Sequence, residues 1–181
     1  MSGRPTVRYT WRDYLAIPED PGRRHEIVDG ELHVTAAPRF RHQEVVTNII
    51  RTLGPAVARK GLGVVVAGPL AVRLHDELVL EPDVVFVRRD RMDIVDPEGA
   101  IHGPPDLVVE VLSPATRDYD RGLKRKRHLE NGVPEVWIVD ADRKVLEVWR
   151  PGRDEPVLAG ETFEWTPGEE TVEVALADVL A

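Results

Sequence analysis

The feature that most constrains this chain is a glutamate set in the middle of an apolar strand pattern, Asp106-Leu-Val-Val-Glu-Val-Leu112. An ionised carboxylate in that setting is costly to bury unless it is paired, hydrogen-bonded or bound to a cation. Whatever fold the chain adopts must therefore bring Glu110 a partner. A Ser113-Pro114 break, a polar helical segment rich in lysine and arginine, and a second apolar strand, Val136-Trp-Ile-Val139, follow it. Gly103 to Asp140 thus reads as a strand–helix–strand block. With a period of two, Asp106, Val108, Glu110 and Leu112 share one face of the first strand, and Leu107, Val109 and Val111 share the other.

The 181 residues suffice for one domain with its own core, expected over about 10–150 and followed by acidic strands over 151–181. No cysteine is present, which excludes disulfides and thiolate metal sites and makes a reducing, cytoplasmic setting the expectation. The first residues lack the apolar run of a signal peptide, and no stretch approaches the ~20 apolar residues of a membrane span. The net charge of -8 argues against a protein that coats nucleic acid. The distribution of that charge matters more than its sum: eight of the 32 acids lie from Asp154 onward, where no lysine or arginine occurs, so residues 1–153 are neutral. Within that neutral body Arg121, Lys124, Arg125, Lys126 and Arg127 form the densest basic run.

Thr10 is placed to cap a short helix from Trp11 to Ile17 that ends at Pro18. His25 to Val28 and Glu31 to Val34 flank Asp29-Gly30, the pair that a type I′ turn prefers, so a β-hairpin is expected there. From His42 to about Arg59, Val45, Val46, Ile49, Ile50, Leu53 and Val57 recur at helical spacing, giving an amphipathic helix that Gly54-Pro55 should kink or shorten and Gly61 should end. Strand-like runs follow at 63–67, 70–74, 78–80 and 84–87, then a charged, irregular loop over 88–103. Val136–Val139 and Val145–Trp149 form a second hairpin around Asp140–Arg143. The remainder reads as short edge strands and a terminal Leu176–Leu180 segment. Strands on both sides of a crossover helix, with another helix earlier, indicate a mixed β-sheet flanked by helices.

Chemistry concentrates where these elements meet. Asp83 follows Pro82 at the head of an apolar strand, and a neighbouring strand would bring it beside Glu110. Two carboxylates make a hard, oxygen-rich site suited to Mg²⁺ or Mn²⁺. On the following helix Asp120, Lys124, Arg127, His128 and Asn131 fall near one face, so Lys124 can point toward the strand ends. Two carboxylates on a metal plus a lysine form a minimal set for phosphodiester hydrolysis.

Pro82-Asp83 followed by Glu110-Val-Leu112 resembles the PD-(D/E)XK nuclease pattern. The wider run PPDLVVEVLSPATRDYDRGLKRKRHLENGVPEVWIVD, with RRHEIVDGELHV and RHQEVV before it, is similar to the Uma-type restriction endonuclease family over roughly residues 10–150. That resemblance implies a restriction-endonuclease-like fold, a divalent metal, Mg²⁺ or Mn²⁺, and hydrolysis of DNA. It implies Asp83 and Glu110 as metal ligands and Lys124 as the catalytic lysine, displaced into the helix because Leu112 stands where the superfamily pattern has lysine. His128 stands where relatives commonly have tyrosine, and Glu44 where some superfamily members place another acid.

Each of these residues also has a plainer role open to it. Glu110 could pair with a structural arginine such as Arg117, Asp83 could cap a strand, and Lys124 could be a solvated helix residue. His42 reads as a cap or surface histidine with a site role in reserve, Asp106 as a strand cap or outer-layer acid, and Asp120 as an acid favoured by the helix dipole. Trp137 and Trp149 read as core residues. The rival to a DNA-cutting enzyme is a catalytically idle nuclease fold that binds DNA or oligomerises, favoured by Leu112 and the acidic tail. Cutting both strands of a duplex calls for two sites, hence an expected homodimer.

Overall fold

The computed structural model describes residues 7–18, 20–97 and 99–181. In chain order the elements are α1 (Trp11–Leu15), β1 (Arg23–Val28), β2 (Glu31–Ala36), α2 (Phe40–Lys60), β3 (Gly63–Ala67), β4 (Val72–His75), β5 (Leu78–Leu80) and β6 (Val84–Arg88). A 3₁₀ turn at Arg89–Ile94 leads to β7 (Ile101–His102) and β8 (Leu107–Val111). Three consecutive segments, Arg117–Tyr119, Asp120–Lys124 and Arg125–Glu130, continue one another as helix α3, and the middle one is a π-helical turn. Then come β9 (Val136–Asp140), β10 (Val145–Trp149), β11 (Val157–Leu158), β12 (Thr162–Trp165), β13 (Val172–Ala175) and α4 (Leu176–Leu180).

The strands form a mixed six-stranded sheet, β11-β10-β9-β8-β6-β3, a five-stranded sheet, β2-β1-β5-β4-β7, and the β12-β13 pair. The crossover expected between the two apolar strands is present: β8 and β9 pair in parallel with α3 between them in sequence, and Glu110 lies opposite Ile138. The alternation along β8 sorts its side chains into two cores. Leu107, Val109 and Val111 pack with α2, Phe86, Trp137, Trp165 and the β12-β13 strands, whereas Val108 and Leu112 pack with Val85, Val72, Ile101 and Ile138. Glu110, in phase with Val108, therefore belongs to the face shared with the five-stranded sheet and α3.

Local expectations hold in most places. The β1–β2 hairpin turns at Asp29 and Gly30, both at positive φ (52° and 79°), the backbone that a type I′ turn demands. At α1 the Asp13 carboxylate accepts bonds from the Thr10 amide and hydroxyl. Trp137 is fully buried and Trp149 nearly so. The acidic C-terminal strands are part of the core, since Trp165 stacks edge-on against Phe86 and Trp137.

Three expectations need correction. Gly54-Pro55 does not shorten α2, which runs on to Lys60; Pro55 lies on its solvent-exposed face, where the ring stands outside the packed core. Residues 88–103 are more than an irregular loop, because Ile101–His102 pairs in parallel with β4. The basic run in α3 is not a free cationic face: Arg121 pairs with Glu147, Arg127 with Asp29 and Glu130, Lys126 with Glu130, and Arg125 lies 3.6 Å over the Trp149 ring.

Candidate active site

The β6–β8 register pairs Val84 with Val109, so Asp83 and Glu110, one residue further on each strand, stand side by side. The Val111 amide donates to Asp83 Oδ2 at 2.8 Å and fixes that arrangement. Glu110 has the partner its apolar strand required, and more than one. Its Oε2 lies 2.9 Å from Lys124 Nζ and its Oε1 3.1 Å from His128 Nε2, both from α3.

The π-helical turn explains how a lysine in a basic run comes to be buried. Widening the helix over Asp120–Lys124 turns both of those residues inward, and His128 follows one turn later. Lys124 is 3% exposed and makes three contacts, to Glu26 Oε1 at 2.7 Å, Glu110 Oε2 at 2.9 Å and the Glu81 carbonyl at 3.1 Å. An ammonium has three N–H donors, and all three are engaged.

Asp83 is held from two other directions. Arg24 of β1 donates from Nη1 to Oδ1 at 2.5 Å, and His42, in the first turn of α2, lies 3.0 Å from Oδ2. Glu26, two residues along from Arg24 on the same face of β1, also accepts from the Glu81 amide at 2.7 Å and from the Tyr119 hydroxyl at 3.1 Å. Tyr14 of α1 donates to Glu81 Oε1 at 2.7 Å.

Not every candidate joins this cluster. His42, Asp120 and His128 are in it or against it. Glu44 pairs with Arg41 at the surface, since its position on α2 turns it away from the sheet. Asp106 binds Arg91 at 2.8 Å and the Arg88 amide at 2.9 Å, capping the strand end remote from the acids. Arg117 pairs with Asp140 and Asp142 and so is not the partner of Glu110. Three members were missed from sequence: Arg24, Glu26 and Glu81. Alternation along β1 places Arg24, Glu26 and Val28 on one face, but apolar Ile27 lies on the other, so the pattern alone does not say which face is inward. Glu81, beside Pro82-Asp83, reads in sequence as one more acid of a turn.

Electrostatics divide the acids. Burial alone pushes Asp83 up, but the hydrogen bond and charge of His42, with Arg24 and Lys124, outweigh it and hold the carboxyl down to about 2. Burial pushes Glu110 up to about 8, with Lys124 opposing and the Asp83 and Glu26 charges adding to the rise. Asp120 is raised to about 7, again by burial first, with Lys124 opposing. For Lys124 the surrounding carboxylates, led by Glu110 and Glu26, overcome burial and raise it well above its ordinary value. Burial and the nearby Lys124 ammonium push His128 down to about 3, so its imidazole is neutral.

Five buried carboxyl groups, Glu26, Glu81, Asp83, Glu110 and Asp120, thus surround two permanent cations, Arg24 and Lys124. That excess of carboxyl groups over cations fits an added cation. Capacity also remains, since a carboxylate offers roughly four lone-pair positions, whereas Asp83 accepts three bonds and Glu110 meets two partners. Among the described residues no group of three or more His, Asp or Glu side chains is placed to hold a metal ion. Magnesium does not need such a group, because it keeps several waters and is held through one or two carboxylates and substrate phosphate.

Residues 11–178 match the model of the Uma2 family, described as "Putative restriction endonuclease". The crystal structure of a "putative nuclease belonging to DUF820" from Anabaena variabilis ATCC 29413 superposes with a TM-score of 0.78 at 18% identity, covering 94% of this chain and 97% of that one. At that identity the likeness is one of fold. No curated protein matches the chain.

Proposed function

The chain belongs to the Uma2 family, and from that premise we propose that it is an endonuclease hydrolysing phosphodiester bonds in DNA with the help of Mg²⁺ or Mn²⁺. The observation that carries this reading is the juxtaposition of Asp83 and Glu110 across β6 and β8 with the Lys124 ammonium 2.9 Å from Glu110. Asp83 and Glu110 are the residues that would hold the cation. When bound, it would acidify a water and offset charge on the phosphate. Lys124 keeps its proton throughout, so its role is to supply a fixed positive charge beside Glu110 and hold that carboxylate in position. Asp83 is ionised at neutral pH and kept in place by Arg24, His42 and the Val111 amide. His128, neutral and buried, orients Glu110 Oε1.

Two copies are expected to act on one duplex, each cutting a strand, which makes a homodimer part of the proposal. One observation favours a second reading, that of an idle nuclease fold that only binds DNA: every N–H of Lys124 is already engaged, and Asp83, Glu110 and Lys124 are each at most 3% exposed.

Digestion of supercoiled and linear plasmid in Mg²⁺ or Mn²⁺ separates the two. The nuclease reading expects cleavage by the wild type and a loss of about 100-fold or more in Glu110→Ala and Lys124→Ala. Cleavage that is undiminished in both variants would assign the activity to another site, and no cleavage by the wild type would leave the idle fold.

A further inference from the structure

The site holds a second cation whose bonding is incomplete. Arg24 places Nη1 on Asp83, while its Nε is buried with no hydrogen-bond partner. Among the described residues Nη1 alone of the three guanidinium nitrogens finds an acceptor. The Nε and Nη2 hydrogens lie along one edge of the planar fork, the edge that meets two oxygens of a carboxylate or phosphate at once. The protein uses that edge elsewhere: Arg127 meets Asp29 with Nε and Nη2 at 2.9 and 2.6 Å, and Arg8 turns the same two atoms to Glu77. On Arg24 that edge has no acceptor among the described residues, and its Nε is buried.

Its position is also the right one. Asp83 and Lys124 side chains are each 3% exposed and that of Glu110 2%, whereas Arg24 is 12% and His42 10% exposed, so these two lie nearer to solvent than the acids and the lysine of the cluster. A buried N–H without an acceptor costs about 1–3 kcal/mol, a cost that a ligand oxygen would remove. Lys124 cannot fill that role without giving up one of its three acceptors.

We infer that Arg24 is the phosphate-contacting residue of the site, its Nη1 fixed by Asp83 and its Nε/Nη2 edge taking two oxygens of the phosphodiester to be cut. The inference rests on the nuclease reading, and it divides the work between the two cations. Lys124 serves the protein's own acids, and Arg24 serves the substrate.

The test is binding of a fluorescein-labelled 20-base-pair duplex, followed by anisotropy over a salt series with Ca²⁺ in place of Mg²⁺, alongside plasmid cleavage in Mg²⁺. Wild type, Arg24→Lys and Arg24→Gln are compared, with thermal unfolding as the control for folding. Lysine keeps a positive charge beside Asp83 but has no two-atom edge, so Arg24→Lys should bind about tenfold more weakly with a nearly unchanged salt slope. Arg24→Gln should bind more weakly still, and its slope of log K against log salt should fall by about one. A wild type that binds and cuts, with both variants equal to it in affinity and slope, would overturn the contact and leave the nuclease reading intact. A wild type that neither binds nor cuts would overturn both. Unfolding of both variants would assign Arg24 to the fold instead.

Discussion

Glu110 shows at the scale of one residue what its burial does to the balance of the protein. Its carboxyl titrates at about 8 in the fold against 4.5 in the unfolded chain, chiefly because the interior disfavours its charge. In that interval the folded state keeps a proton that the unfolded state has released, so the folded state loses ground as pH rises, and the loss ends above about 8. His128 works in the opposite sense but lower down, between about 3 and 6.5, so the clean window for Glu110 lies between 6.5 and 8. Across that window the wild type should lose up to roughly 2 kcal/mol by urea unfolding, and Glu110→Gln should lose clearly less, Asp120 supplying what remains. Equal losses in the two proteins would mean that Glu110 is not the group responsible. Glu110 was legible in the sequence because an acid in the middle of an apolar strand demands explanation, and Asp83 because it heads a strand behind proline. Arg24 and Glu26 escaped because their strand is apolar on both faces just where they enter it.

Elements read from periodicity emerged well where one face is apolar and the other polar, as in α2, or where a turn has its own chemistry, as at Asp29-Gly30. What periodicity could not show is the π-helical turn in α3. It shifts the side-chain phase inside a segment whose composition suggests a solvated surface, and Lys124 is buried as a result. The same limit applies to glycines, whose roles depend on what lies opposite. At Gly63 in β3 an added Cβ would sit 2.1 Å from the Val87 carbonyl oxygen, on a backbone at φ 155°. At Gly122 in α3 nothing lies within 4 Å of such an atom. Gly63→Ala should therefore destabilise by about 2 kcal/mol or more and lower Tm by about 5 °C or more. Gly122→Ala should stabilise by about 0.5–1 kcal/mol and raise Tm by ~2 °C. Differential scanning calorimetry reads both, and a Gly122→Ala protein that melts below the wild type would show that the π-helical turn needs glycine's freedom.

The whole molecule presents charge very differently from what its arginine and lysine content suggests. The α3 cations are spent on Asp29, Glu130, Asp140 and Glu147, and others on Glu77, Asp76 and Asp90. Exposed Arg39, Arg51 and Arg59 of the α2 region make no ion pair among the described residues, but Arg51 and Arg59 line a cleft together with Glu173 and Asp178. With a net charge of -8, such a surface cannot hold DNA by a broad electrostatic footprint. On the proposed reading, affinity would come from few phosphate contacts made close to the site, with Arg24 among them. Each phosphate neutralised contributes about 0.9 to the slope of log K against log salt. The wild type should therefore show a shallow slope of about 2–3 in magnitude between 50 and 200 mM salt, against roughly 5–9 for a protein that tracks the backbone with a basic face. Anisotropy titrations of the same duplex over that range measure it directly. A slope steeper than about 6 would mean that the ion pairs of α3 open on DNA and that its basic run belongs to the binding surface after all.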